Sequence, residues 1–259
     1  MPVDPQMSFE KALIKIEWAN KHIGQLNSVC TALVKSKVNQ TTIKTQAHGG
    51  GYEFHLTPDL AFGNEVSLVT GDIVSNLRAA LDYCWMGLLR SIEPDPAKQT
   101  LPIGTTRKDL DARVEKTSVG KAFPEVKGLI GDTIKFHRDF AAGGNRGLCA
   151  LNDLCNWNKH NLLLFAVRRI GTGVLTMPGN NMVIDGKFDT GGPIVLVTGH
   201  GSKPDIKHEG NFSLDIVFRK MNRETDLVNN EPVVPTIRNL AQAARKAVEA
   251  FIEAFPAKS

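Results

Sequence analysis

The chain has 259 residues, of which 42% are hydrophobic and 22% are charged, a composition typical of a globular protein with a substantial core. No stretch holds the roughly 18 apolar residues that a membrane span needs, and the N-terminus lacks the basic and apolar regions of a secretory signal. We therefore expect a cytoplasmic protein with no membrane partner. The net charge of +4 favours a polyanionic partner only weakly, because lysine and arginine are spread along the chain.

The first 90 residues predict two long helices with a hairpin between them. Apolar residues recur every three or four positions from residue 8 to about residue 36, with Ser8 as the expected N-cap. Two β-prone segments then flank residues 49–51, all glycine, which predicts a β-hairpin because glycine tolerates the positive φ of a tight turn. A second helix is predicted from Asn64 to Arg90. Its core-facing arc comprises Val66, Ile73, Leu77, Leu81, Cys84 and Leu88.

The middle of the chain predicts a loop and three further helices. Prolines interrupt the segment after Arg90, so residues 91–104 are expected to form an ordered loop over the surface. Shorter helices are predicted from Thr106 to Thr117 and from Pro124 to about Phe136. A longer one is predicted from about Asn145 to Val167. Its core-facing arc comprises Leu148, Leu151, Cys155, Asn158 and Leu162.

The last third changes character. Residues 168–221 consist of short β-prone segments separated by turn signals, which predicts an antiparallel sheet of three or four strands. An apolar stripe from residue 235 to 255 predicts a C-terminal helix that packs on the earlier helices. We therefore predict one α+β domain over residues 1–259. It comprises an antiparallel helical bundle with a hairpin at residues 8–167, an inserted β-rich region at 168–221, and the C-terminal helix at 235–255.

The common catalytic motifs are missing from the sequence. The glycine-containing fragments lack the order of strand, turn and helix that a nucleotide site requires, and neither GxSxG nor HExxH occurs. The four cysteines share no CxxC-type spacing, so we predict buried thiols rather than zinc ligands or disulfides. The sequence thus predicts neither a metal nor a cofactor.

The polar residues that remain candidates for a site lie on the second and the later helix. Arg78 and Asp82 are four residues apart at the edge of the core-facing arc. Asn158 lies in the core-facing arc of the later helix, where an unpaired amide costs about 1–3 kcal/mol, so we expect the pair to bind it. A further polar face of the later helix holds Asp153, Asn156 and His160. The candidates are Arg78, Asp82 and His160 for catalysis, and Tyr83, Asn156, Asn158 and Lys159 for substrate binding.

These residues allow two interpretations. In the structural one, Arg78 and Asp82 form an i,i+4 ion pair, and Asn158 is a buried bridge to it. In the functional one, Arg78 holds a phosphodiester, and His160, with an unperturbed pKa near 6.5, transfers protons. An enzyme that acts on a small molecule near the β-rich region is a third hypothesis.

Two phrases of the sequence resemble a known set of proteins. NLRAALDY at residues 76–83 and LCNWNKHNLLL at residues 154–164 are similar to NLRSALDH and LNNIDKHRLL, the signature phrases of a family of uncharacterised bacterial proteins. The similarity covers most of residues 8–167, including the long first helix and the hairpin. It implies a shared bundle and no established activity. Asn158 stands where these proteins tend to have aspartate.

The first phrase also resembles, more loosely, the R-x4-6-H motif of HEPN helical domains. Many of these domains are metal-independent ribonucleases of toxin–antitoxin and phage-defence systems. The resemblance implies RNA as a partner, a homodimer in which two motifs meet, and Arg78 as the catalytic arginine. Tyr83 stands where the histidine would be. Because a phenol with a pKa near 10 is a poor base at neutral pH, His160 would have to replace it.

Three functional hypotheses are therefore open. The first is a HEPN-like RNA-binding protein or endoribonuclease of a bacterial or phage defence or toxin system. The second is a non-catalytic interaction protein in which the polar cluster only stabilises the bundle. The third is the small-molecule enzyme.

Overall fold

The structure is a computed structural model that describes residues 4–35, 41–45, 51–56, 61–93, 95–161, 163, 165–177, 180–190, 194–200, 207–210, 213–219 and 227–257. Most of this part of the chain is helical. The helices are α1 (Gln6–Lys35), α2 (Ala61–Arg90), α3 (Arg107–Glu115), α4 (Ser118–Ala122), α5 (Glu125–Gly128), a π-helix (Leu129–Ile134), α6 (Arg146–Asn158) and α7 (Val233–Ala254). None of them is long and apolar enough to cross a lipid bilayer.

The described residues also form strands, which lie between α1 and α2 and between α6 and α7. They are β1 (Thr41–Thr45), β2 (Gly51–Leu56), β3 (Phe165–Met177), β4 (Asn180–Thr190), β5 (Ile194–His200), β6 (Lys207–Gly210) and β7 (Ser213–Phe218). β2 pairs with β1 and β5, whereas β3 pairs with β4, β6 and β7, always antiparallel. The turn predicted at Gly49 and Gly50, and most of the turns predicted within residues 168–221, lie outside the described residues.

α1 and α2 form an antiparallel pair at the centre of the bundle. The Lys15 ammonium donates to the Asn76 amide oxygen at 2.9 Å, and Gly87 faces Ser8 farther along. A Cβ at Gly87 would lie 2.7 Å from the Ser8 Cβ, so glycine is what allows this close approach. The residues predicted to form the core-facing arc of α2 are all buried. The prediction of Ser8 as an N-cap is wrong, because Ser8 lies inside α1 and is buried.

α7 packs along α1 in the opposite direction. The rings of Phe9 and Phe251 lie 6.4 Å apart, and the Gln6 side-chain amide donates to the Phe255 carbonyl. The apolar stripe of α7 is buried, as its three- and four-residue spacing predicts. The C-terminal helix thus closes the bundle against the first helix.

Two predictions about the middle of the chain are wrong. The helix predicted to reach Val167 ends at Asn158, and a strand begins at Phe165. The loop of residues 91–104 does not only run over the surface, because Leu101 is buried in the core. Gly104 bridges to the segment after the π-helix, where its N–H donates to the Phe136 carbonyl at 3.1 Å. The irregular middle of the chain is therefore part of the packed interior.

Candidate functional site

α2 and α6 lie side by side and antiparallel, as the candidate site requires. The Ser67 hydroxyl near the start of α2 donates to the Leu163 carbonyl at 2.6 Å, just beyond the end of α6. One turn later on α2, the Asn158 side chain covers Gly71, and its Nδ2 lies 3.5 Å from the Ser75 hydroxyl. The end of α6 therefore packs on the first half of α2.

Gly71 provides a test of this contact. A Cβ at Gly71 would lie 2.5 Å from the Asn158 Oδ1, so Gly71→Ala forces the amide to move. Overpacking costs about 1–3 kcal/mol and the gain in helix propensity is about 1 kcal/mol, so the mid-range balance is a net loss of about 1 kcal/mol. We expect Gly71→Ala to lower the free energy of unfolding by about 1 kcal/mol and the added substitution Asn158→Ala to recover that loss. Urea denaturation followed by circular dichroism measures both.

Gly24 on α1 is the matched control for this prediction. A Cβ there would meet nothing within 4 Å, so Gly24→Ala is expected to stabilise the protein by up to about 1 kcal/mol. Strict additivity of the Gly71 and Asn158 substitutions would show that the two helices do not meet at these residues.

The ion pair predicted on α2 is present and holds a backbone segment. The Arg78 Nη2 lies 3.0 Å from the Asp82 Oδ1 and donates to the Leu101 carbonyl at 2.9 Å. The same Asp82 oxygen accepts the Leu101 N–H at 2.9 Å. The pair thus satisfies both polar backbone groups of one buried residue in the loop.

The Arg78 guanidinium is enclosed. The residue is 7% exposed, and its Cζ lies 5.4 Å from the centroid of the Phe136 ring, within the range of a cation–π contact. Its Nη1 is buried without a hydrogen-bond partner within the described part of the chain. Burial raises the pKa of the Asp82 carboxyl above its usual range, although Arg78 and the Leu101 amide both act to lower it. Burial of this carboxyl thus outweighs its stabilisation by the neighbouring charge and the amide.

Asn158 does not bridge to the ion pair, so that part of the structural interpretation is wrong. Its side chain faces Gly71 and Ser75, which lie about two turns and one turn of α2 before Arg78. The sequence correctly indicates a half-buried amide on the face that α6 turns to α2. The partner of Asn158 could not be predicted, because the angular position of a residue on one helix does not give the residue of the neighbouring helix that lies opposite it.

The remaining candidates lie apart from the guanidinium. His160 is exposed beyond the end of α6, and among the described residues no hydrogen bond or ion pair joins it to Arg78 or Asp82. Tyr83 is half-buried against the core. The exposed Lys159 and Asn156 bind each other through their side chains at 3.2 Å. The structure brings Arg78 and Asp82 together but gives no contact between them and the proposed acid or base.

A second ion pair between a buried carboxylate and an arginine was not predicted from the sequence. The Asp153 side chain on α6 is 2% exposed and is bound by Arg138 through both guanidinium Nη atoms, one of them at 2.9 Å. Asp153 lies between Leu151 and Leu154 in an apolar stretch, and a buried carboxylate needs a cation. An aspartate at this position therefore predicts a cationic partner, but the sequence does not identify which residue it is. Asp153 also does not share an accessible face with Asn156 and His160, since only those two are exposed.

The surroundings of the second pair do not suit nucleophilic chemistry. The Cys149 thiol donates to the His137 carbonyl at 3.4 Å, and burial raises its pKa to about 11, so the reactive thiolate is rare at neutral pH. All four cysteines are buried and free, as predicted. Across the described ranges, no group of three or more potential metal ligands occurs.

The two ion pairs tie the segment of residues 95–138, which contains α3, α4, α5 and the π-helix, to α2 near its start and to α6 at its end. In comparisons with other proteins, no family model, no curated protein and no solved structure matches the chain.

Proposed function

We propose that this chain is a non-catalytic interaction protein built on a HEPN-like helical bundle, with a hairpin after the first helix and a small sheet before the last. One observation carries the proposal. The Arg78 guanidinium is 7% exposed and is bound to the Asp82 carboxylate and the Leu101 carbonyl. A guanidinium that recognises a phosphodiester needs two donors that reach the phosphate oxygens, and these donors face the interior. Arg78 therefore stabilises the fold.

The position of His160 supports the same conclusion. A general acid or base must come within hydrogen-bond reach, about 2.6–3.2 Å, of the proton that it transfers. His160 is exposed, whereas Arg78 is buried and bound to the Leu101 carbonyl, and among the described residues no hydrogen bond or ion pair joins the two side chains. The proposed role is to bind a partner macromolecule without changing it chemically.

A ribonuclease assay tests this proposal. Purified protein is incubated with end-labelled single-stranded RNA in EDTA, and we expect no cleavage above that of the His160→Ala variant. The substitution replaces an exposed side chain, so its effect on stability is expected to stay within about 0.5 kcal/mol. Cleavage by the unchanged protein that is lost in the His160→Ala variant, with the melting temperature retained, would overturn the proposal.

A second candidate is the HEPN-like RNA-binding protein or endoribonuclease of a defence or toxin system, acting as a homodimer. The observation that favours it is the buried Nη1 of Arg78, which binds nothing among the residues described. Displacement of the segment around Leu101 would expose this donor to a substrate. Lys159 is near enough for its charge to lower the pKa of Asp82, the partner of Arg78. This candidate predicts RNA cleavage that depends on both Arg78 and His160. The third hypothesis, a small-molecule enzyme, stays a prediction, since most side chains of residues 168–221 lie outside the described part.

A further inference from the structure

The groove between α1 and α7 is distinct from the Arg78 region. It has a volume of about 310 Å³, and the described residues that line it belong to these two helices. Ile16, Ile23 and Ala241 form its floor, and all three side chains are buried. The floor is therefore aliphatic and shallow.

Polar side chains form the rim of the groove. Arg238, Gln242 and Arg245 of α7 lie on one side and Asn20 of α1 on the other, and all four are exposed. Arg238 and Arg245 are seven residues apart on one flank of α7, which places them about 10.5 Å apart along the helix axis. The rim thus has two guanidinium groups on the same flank of α7. A side-chain amide lies between them, and another lies across the groove.

Both guanidinium groups can bind a carboxylate of a partner. Within the described ranges, no carboxylate pairs with Arg238. Arg245 binds Glu249 at 2.9 Å, but both side chains of that pair are about half exposed, at 50% and 46%. An exposed i,i+4 pair contributes only about 0.3–0.5 kcal/mol, so a carboxylate from a partner can replace Glu249.

We propose that this groove docks an α-helix of a partner protein that carries two carboxylates seven residues apart and a small aliphatic residue between them. Two residues seven apart on any helix have the same spacing of about 10.5 Å as Arg238 and Arg245. The aliphatic residue then rests on Ile16, Ile23 and Ala241, as in other complexes of a helix with a groove. This inference rests on the proposed function as an interaction protein and specifies the chemistry of its partner.

The chemistry of the groove favours an acidic helix over RNA. Its lining residues include no aromatic ring on which a base could stack.

The test is a selection from displayed helical peptides of about 20 residues, roughly 30 Å long, that are randomised on one face. The bait is the full chain, with counter-selection on the Arg238→Gln/Arg245→Gln double variant. We expect the enriched peptides to carry acidic residues seven apart. Their affinity for the double variant should be at least about tenfold weaker, because each substitution leaves a partner carboxylate unpaired.

Lys246→Gln is the matched control, because Lys246 is an exposed cation on the other flank of α7. It should change peptide affinity by less than about twofold, since it removes only a distant screened charge. The proposal is overturned by a selection that enriches no peptide, by enriched peptides without acidic residues, or by equal losses in the two variants. Single-stranded RNA that competes for the same arginines would identify nucleic acid as the occupant instead. Arg78 and His160 lie outside the groove, so the ribonuclease assay can fail independently of this test.

Discussion

Replacing Arg138 with alanine is expected to lower the free energy of unfolding by about 3–5 kcal/mol, because it removes the guanidinium that binds both oxygens of a buried carboxylate. The Asp153 side chain is 2% exposed, and Arg138 binds both of its oxygens. Urea denaturation of the variant at neutral pH measures the loss.

Arg113→Ala is the control for this prediction. Arg113 also pairs with a carboxylate, that of Asp109, but its side chain is 55% exposed on α3. An exposed pair contributes at most about 1 kcal/mol, so we expect a small effect. Equal losses for the two alanine variants would show that Asp153 is solvated well enough to do without Arg138.

Arg78→Ala is expected to cost about 2–4 kcal/mol through three simultaneous losses. The Asp82 carboxylate loses its cation, the Leu101 carbonyl loses a donor, and the Phe136 ring loses a cation–π contact. Arg78→Lys keeps the charge but replaces the flat guanidinium over the Phe136 ring with a compact, more strongly hydrated ammonium, so its loss should be intermediate. Thermal and urea unfolding of both variants measure these effects.

The pH dependence distinguishes this explanation from a simple loss of packing. Burial already holds the pKa of Asp82 above its usual range, so protonation of this carboxyl is more favourable in the folded state than in the unfolded state. Stability contributed by such a group is present below its unfolded pKa of about 3.9 and is lost as the pH rises through the folded value. Removing Arg78 raises that folded value further. The deficit of Arg78→Ala should therefore be largest at neutral pH and shrink on acidification, and a deficit that is constant with pH would contradict this cause.

The long helices could be predicted because their apolar residues repeat over many turns. The buried arc of α2 from Val66 to Leu88 and the stripe of α7 each follow the helical period, which is a local property of the sequence. The residue at which α6 ends could not be predicted in this way. The apolar run of residues 162–167 fits a helix and a strand equally well, and the strand pairing of β3 decides between them.

The partners of the polar residues could not be predicted, for a different reason. Asp82 binds Leu101 and Asp153 binds Arg138, and both partners lie in segments without helical or strand periodicity. Their positions depend on how residues 95–138 fold back between α2 and α6. Hydrophobic spacing contains no information about such a path, so the sequence indicates that these charges need partners without showing which.

The arrangement at Leu101 also fixes the direction in which its segment runs. Arg78 accepts nothing and can bind only the carbonyl, while Asp82 can bind only the N–H, and the two stand one turn apart on α2. A segment passing α2 with the opposite polarity would present its N–H to the cation and its carbonyl to the anion. The order of the two charges along the helix therefore selects one of two possible chain paths, which a pair of aliphatic residues at the same positions could not do.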